Sequence, residues 1–364
     1  MNIKRKKKGR TARLGGRRAR PRDVGPGFAV ASGGALPPVA LSAVSDAVRA
    51  EVGRVAELAG MEVATSEPQQ VAEARAAVLN LAEVRASVPR VVARFHPSYA
   101  PYFTAGPAEL TLPDEAEDLL EFLLAAGSTL RGTVVAVVGT HGGSGATTLA
   151  AWLAREWSAT VPTALIDADP CSAGIDVLLG LDGDAGIRWP DIHAESGALV
   201  PGRLKASLPA YGNLVTLSAD REGALGSAAL GRNAVAALSQ AADVCVVDFS
   251  AEAMMQGNVA ASMLAWADIV VLVAGAGDRG VRGVARAMGT LPAGVESIVA
   301  AVGVGGGAQA ASMAMELGVD RVYPVRWLRN LQADVEHGMR VGDRSRSGTA
   351  RDIAAIARAC EELA

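Results

Sequence analysis

The feature that most constrains this chain lies at residues 133–157, where three kinds of sequence follow one another without a break. Thr133–Val138 is a continuous apolar run rich in β-branched residues, the composition of a strand buried on both faces. Gly139-Thr140-His141-Gly142-Gly143-Ser144-Gly145-Ala146-Thr147-Thr148 comes next, and Leu149–Trp157 has helical character. Strand, glycine loop and helix in that order form the context a phosphate-binding loop requires. The glycines let backbone N–H groups converge on phosphate oxygens, and the helix N-terminus adds a favourable dipole. A glycine-rich turn alone would be weak evidence, so the rest of the chain has to support it.

Two later segments give that support. Ala164-Leu165-Ile166-Asp167-Ala168-Asp169-Pro170 reads as a strand ending in Asp-x-Asp-Pro, and Asp243–Phe249 places three valines before Asp248. Trp266–Val273 and Ser297–Val304 read as later core strands. Strands alternating with helices predict an α/β fold with a mostly parallel sheet flanked by helices. Half of the 364 residues are apolar while only 4% are aromatic, which suits helices on a sheet better than an aromatic-rich sandwich.

Charge divides the chain. Residues 1–22 hold eleven Lys/Arg and no acid, and the remaining 24 basic and 38 acidic residues leave a body near −14. An acidic body argues against nucleic-acid binding by the globular part. Residues 1–27 read as a basic disordered tail: an arm for DNA or anionic lipid, or simply a solvated segment. Cys171, Cys245 and Cys360 are widely spaced with no CxxC pair, so small buried hydrophobes are expected rather than a disulfide or zinc site. Ala261–Gly277 is short for a membrane span and Asp268 interrupts it. A cytoplasmic protein is expected.

Residues 28–126 read as a first small α/β unit with a parallel sheet. Phe28–Ser32, Met61–Ala64, Ala76–Leu81, Arg90–Phe95 and Glu109–Leu112 are the expected strands. Leu41–Ala59 is an expected helix with Val44, Val48, Val52, Val55 and Leu58 on one face, and Pro113 is expected to open a second. The order resembles a response-regulator receiver domain without its chemistry. No acidic pair follows the first strand, the third ends near Asn80, and no Lys is present. Residues 127–132 read as a linker, and 133–364 as the domain carrying the glycine loop.

The spacing of that loop resembles the deviant Walker A motif of the MinD/ParA family, Lys-Gly-Gly-x-Gly-Lys-Thr-Thr. Gly142, Gly143, Gly145, Thr147 and Thr148 match, while His141 and Ala146 stand at the two lysine positions and Thr140 replaces a common glycine. The resemblance implies that Gly142, Gly143, Ser144, Gly145, Ala146, Thr147 and Thr148 hold ATP phosphates. It implies that Asp169 orients the attacking water, that Thr147 and Asp248 hold Mg²⁺, the latter through water, and that Arg321–Pro324 contacts an adenine. Losing one phosphate-directed cation costs on the order of 3–4 kcal/mol in transition-state stabilisation, so binding is expected to be weak and hydrolysis weak or absent. Lys205 is the one lysine outside the tail. Arg188 and Arg279 are the candidate substitutes.

The receiver-like unit, the lysine-less loop and the run Gly186-Ile187-Arg188-Trp189-Pro190-Asp191 are together similar to CpaE/TadZ-like proteins, closest to their actinobacterial branch. That likeness implies a positioning or assembly factor for Flp/Tad pilus secretion or for septum-site regulation. A homodimer is expected, with a secretion ATPase or cell-division proteins as partners and recruitment to the pole, septum or inner membrane face. The membrane-targeting C-terminal helix known from MinD is not evident in Ala350–Ala364. The competing readings are an active ATPase partitioning DNA or protein, disfavoured by Ala146, and a phosphorylation-controlled output protein, disfavoured by the missing acceptor.

Overall fold

The computed structural model describes residues 39–42, 44–59, 63–65, 79–84, 90–95, 108–127, 131–192, 199, 201–250, 263–291, 295–304, 306–328 and 330–364. The basic tail 1–27, the expected strand Phe28–Ser32 and residues 128–130 of the expected linker lie outside them. The chain divides into two compact units, one within Gly34–Leu130 and one within Arg131–Ala364.

In the first unit the strands are β1 (Val39–Ser42), β2 (Val63–Thr65), β3 (Leu79–Val84), β4 (Arg90–Phe95) and β5 (Ala108–Thr111), ordered β2-β1-β3-β4-β5. The helices are α1 (Asp46–Ala59) and α2 (Ala116–Gly127). The expected parallel sheet is mixed here, because β4 runs antiparallel to both β3 and β5. The short connection 85–89 can close a hairpin but is too short for a crossover helix.

Leu41, expected to begin a helix, lies in β1, and α1 starts four residues after the strand ends. Ser45 sets that start: its Oγ accepts from the N–H of Val48 at 3.4 Å, an N-cap interaction. Val48, Val52 and Val55 are buried as the periodicity predicts, but Leu58 is 49% exposed. The third strand does not end at Asn80; it continues to Val84, and the Glu83 carboxylate accepts from Ser45 Oγ at 3.0 Å. The second helix begins at Ala116 rather than Pro113. The Glu115 carboxylate accepts from the Thr111 N–H at 2.6 Å and makes the intervening residues a turn of their own.

The second unit holds an eight-stranded sheet built from β6 (Thr133–Gly139), β7 (Thr163–Asp167), β8 (Ala210–Tyr211), β9 (Leu214–Leu217), β10 (Val244–Phe249), β11 (Ile269–Gly275), β12 (Glu296–Val302) and β13 (Val322–Val325). Its order is β13-β12-β11-β6-β10-β7-β9-β8, parallel throughout except at β8. Between and after the strands run α3 (Ala146–Ser158), α4 (Pro201–Ser207), α5 (Ala228–Ala241), α6 (Asp278–Met288), α7 (Gly307–Leu317), α8 (Leu331–Glu336) and α9 (Gly348–Leu363).

The central strand β6 shows why the apolar run is continuous. Val134, Ala136 and Val138 enter one core with residues of α5, α6 and α7, while Val135 and Val137 enter a second core with residues of α3 and α9. Period-two alternation thus feeds two helical layers, and each fully buried Val or Leu contributes roughly 1.5–3 kcal/mol. Strand β11 starts at Ile269, not Trp266, because the Asp268 carboxylate is taken by Arg131 at 2.7 Å and by the Val134 N–H at 2.9 Å.

Helix α9 buries Ile353, Ile356, Ala357 and Cys360 in the second core, so its apolar face is spent inside the fold. Among the described residues no helix is long and apolar enough to cross a membrane. Cys245 and Cys360 are buried as expected, but Cys171 is exposed, since it lies on the loop after β7.

Candidate phosphate-binding site

The glycine loop leaves the C-terminal end of the central strand and delivers the chain into α3. Gly143 and Gly145 have φ of 74° and 88°, a left-handed backbone that glycine adopts without the strain a side chain brings. Gly145 is the N-cap of α3, and no side chain caps the first turn. An uncapped helix start preceded by such a loop presents unsatisfied N–H groups and a positive dipole end. Ser144 and Ala146 are buried, Gly142 and Gly143 are exposed, and Thr147 and Thr148 lie half-buried.

Three carboxyl groups gather where β7 and β10 end, with Asp248 directly beside Asp167 in the parallel register. Asp248 is 1% exposed, and its Oδ1 has no hydrogen-bond partner. Burial first, and then the nearby Asp167, push its carboxyl up to about 8; a hydrogen bond with the Thr147 side chain opposes the shift, and Asp169 adds to it. The loop threonine and the strand aspartate therefore meet.

Asp167 and Asp169 divide the work of the loop after β7. Asp167 Oδ2 accepts from Ser172 Oγ at 2.5 Å and from the Ile175 N–H at 3.2 Å. It also accepts from the Ala219 N–H at 3.4 Å. Burial raises the Asp167 carboxyl, and these donors pull it back. Asp167 thus holds the turn together. Asp169 is half-buried, and its Oδ1 accepts from the Cys171 N–H at 2.9 Å.

His141 does not extend from the loop. Its Nε2 accepts from the Gly275 N–H at 3.0 Å, and its Nδ1 lies 3.0 Å from the Gly142 carbonyl. This pairing assigns the hydrogen to Nδ1 and a neutral ring. Thr140 is tied to the same strand: its N–H and hydroxyl both donate to the Val273 carbonyl, at 2.9 and 3.0 Å. Its side chain lies against Gly283 of α6, where a Cβ would come within 3.0 Å of Thr140 Oγ1.

The run Gly186–Asp191 was conspicuous in sequence but carried no readable mechanism. Arg188 is 6% exposed and donates through Nε to Asp176 at 2.9 Å. Its other nitrogens donate to the carbonyls of Gly186, Leu181 and Asp184. Trp189 Nε1 donates to the Asp167 carbonyl at 2.7 Å. Ser218 Oγ, at 3.0 Å from Asp176 Oδ1, completes the network. The run buttresses the loop after β7, so Arg188 is committed and cannot substitute for a loop lysine. Lys205 donates to the Ala241 carbonyl at 2.8 Å and is committed as well.

A mainly apolar cleft opens beside the first turn of α3, lined by Thr148, Leu149, Trp152, Val325, Trp327 and Leu328. The expected base-contacting segment Arg321–Pro324 does not line it; Arg321 stacks over Tyr323 at 4.5 Å instead. The lining begins one residue later because β13 ends at Val325 and the chain turns toward α3 only beyond it.

No family model matches the chain. Uncharacterized proteins of two Mycobacterium tuberculosis strains are 36% identical over 119 residues, which is 31% of this chain and 33% of theirs. The match thus spans about a third of the length of these curated relatives. A ParA family ATPase from Chlorobium tepidum superposes with a TM-score of 0.52 at 14% identity, over 62% of this chain and 98% of that one. The Pyrococcus furiosus cell division ATPase MinD gives 0.50 at 16% identity, over 64% and 100%. The chain contains a mostly parallel α/β sheet flanked by helices, the P-loop fold of ParA- and MinD-type ATPases.

Proposed function

We propose that this protein is a positioning or assembly factor of the CpaE/TadZ type that binds Mg-ATP weakly and hydrolyses it slowly or not at all. One observation carries the reading. Thr147 meets Asp248 at the start of α3, after two left-handed glycines, which supports a nucleotide site. The cations above it are absent, with Ala146 at one lysine position and a neutral, internally bonded His141 at the other.

The residues fit the missing groups. The buried Asp248 Oδ1 has no partner, and a buried oxygen of that kind calls for a water or an ion. Among the described residues no group of three His, Cys, Asp or Glu side chains could hold a metal by itself. Mg²⁺ suits such a site, because it keeps its waters and uses one carboxylate with substrate phosphates. Thr147 and Asp248 would hold it, and backbone N–H groups from Gly142 to Thr148 would receive the phosphates. When bound, Mg²⁺ neutralises charge on the phosphates. Trp327 and Leu328 would cover the base in the cleft beside Thr148.

A site that binds without turning over suits a scaffold that forms a homodimer and recruits a secretion ATPase or division proteins. The role belongs to Flp/Tad pilus placement or septum-site regulation at the cytoplasmic membrane face. The receiver-like unit would then act without phosphorylation, and the basic tail would touch DNA or anionic lipid.

Calorimetry with Mg-ATP and a steady-state ATPase assay test the reading together. The expected result is measurable binding with turnover no faster than that of Asp248→Ala. Turnover near 1 s⁻¹, the low end of ordinary enzymes, that vanished in Asp248→Ala would replace the scaffold with a working ATPase.

A further inference from the structure

Helix α6 carries Arg279, Arg282 and Arg286 on one exposed face. Among the described residues none of the three has a hydrogen bond, ion pair or ring contact. Their chain neighbours pack hard against the glycine loop. A Cβ on Gly280 would come within 2.0 Å of the Gly275 carbonyl oxygen, and one on Gly283 within 3.0 Å of Thr140 Oγ1. Gly275 is also the residue whose N–H holds the His141 ring. The start of α6 is therefore pinned at the rim of the loop, beside the place where the MinD/ParA pattern carries a lysine.

Position along the helix separates Arg279 from Arg286. Gly283 faces Thr140, and Arg279 lies four residues earlier on the same face, about one turn nearer the N-terminus. Helical side chains lean toward the N-terminus, which here is the end next to Gly275 and His141. Arg286 is seven residues further on, roughly 10 Å along the axis, and so stands away from the rim.

Of the other cations, Arg282 sits about one turn further along α6, and three elsewhere have partners. Arg188 and Lys205 are spent on buried partners, and Arg326, at the cleft, is paired with Asp352 at 3.6 Å. We infer that Arg279 is the phosphate-binding cation of this loop, reaching the nucleotide polyphosphate from α6 in place of the lysines that His141 and Ala146 replace. Arginine matches phosphate with a planar fork of donors and stays charged. The cation then comes from a neighbouring helix rather than from the loop itself. The inference rests on the proposed nucleotide site.

The test is binding of Mg-ATP and of inorganic tripolyphosphate to the full chain by calorimetry, comparing wild type with R279Q, R279K, R282Q, R286Q and R326Q. The expected result is that R279Q weakens both ligands by about tenfold or more, while R279K recovers part of the loss. R286Q and R326Q should stay within about twofold of wild type. Because Arg279 is exposed, its variants should keep the wild-type melting temperature, which shows that a loss of binding is not a loss of fold. Wild-type affinity in R279Q overturns the inference and leaves the nucleotide site standing, as does a loss that follows R282Q or R326Q instead. A wild type that binds neither ligand overturns the nucleotide site and the inference together.

Discussion

Asp248→Asn replaces a carboxyl group that the fold keeps protonated with a neutral group of the same shape. In the folded chain the Asp248 carboxyl is pushed up to about 8, chiefly by burial. In the unfolded chain it ionises near the ordinary value of about 3.9. Between those limits the unfolded state gives up a proton that the folded state holds. The contribution of this group to stability is complete below about pH 4 and is lost as pH rises through about 8. At ~1.4 kcal/mol per pH unit, the wild type should lose on the order of 4 kcal/mol from this group between pH 4 and 7. For a unit of this size that is a drop of about 10 °C in Tm.

The Asn variant cannot ionise and should not show this drop. Differential scanning calorimetry of both proteins from pH 4 to 9 reads the effect of Asp248 together with its coupling to Asp167 and Asp169. The variant should gain on the wild type steadily up to about pH 8 and hold a constant lead above it. Mg²⁺ selects the carboxylate form, so it should protect the wild type more at pH 8 than at pH 5. Parallel curves for the two proteins would refute the claim that Asp248 is buried as a neutral acid.

Arg188→Ala should lower stability by about 3–5 kcal/mol, because it leaves Asp176 buried without its partner; chemical denaturation measures this, and a loss below about 1 kcal/mol would show that the network is dispensable. Gly143→Ala meets no neighbour within 4 Å, so its cost should be backbone strain alone, roughly 1–2 kcal/mol at a φ of 74°. A fully stable variant would place the loop in another conformation. The His141 ring is bonded within its own chain, so a dimer should change its association constant by less than about tenfold, or 1.4 kcal/mol, on adding saturating Mg-ATP. Sedimentation that shows a monomer becoming a dimer only with Mg-ATP would contradict this.

Much of the fold was legible because the signals are local. Thr133–Val138 had to be a doubly buried strand, and Gly143 and Gly145 had to accept a left-handed backbone. The apolar run before Asp248 marked the neighbouring strand in the same way. Errors gathered where a boundary depends on a distant partner. Trp266 was read into a strand that starts only after Asp268 has bonded Arg131 and the Val134 N–H. Strand β4 was read as parallel although its short connection to β3 folds it back. Leu58 kept the helical period of α1 yet faces solvent, since period alone does not say how wide the buried stripe is.

By itself the sequence indicated the central strands, the glycine loop between strand and helix and the loss of both lysines, because side-chain period and glycine placement act within a few residues. Tertiary structure alone decided what the polar residues do. It sent Arg188 and Trp189 to the loop after β7, closed His141 onto Gly275, left one oxygen of Asp248 unpartnered, and left Arg279 exposed. A polar side chain takes its role from the donors and acceptors that reach it, and for His141 the donor lies 134 positions away.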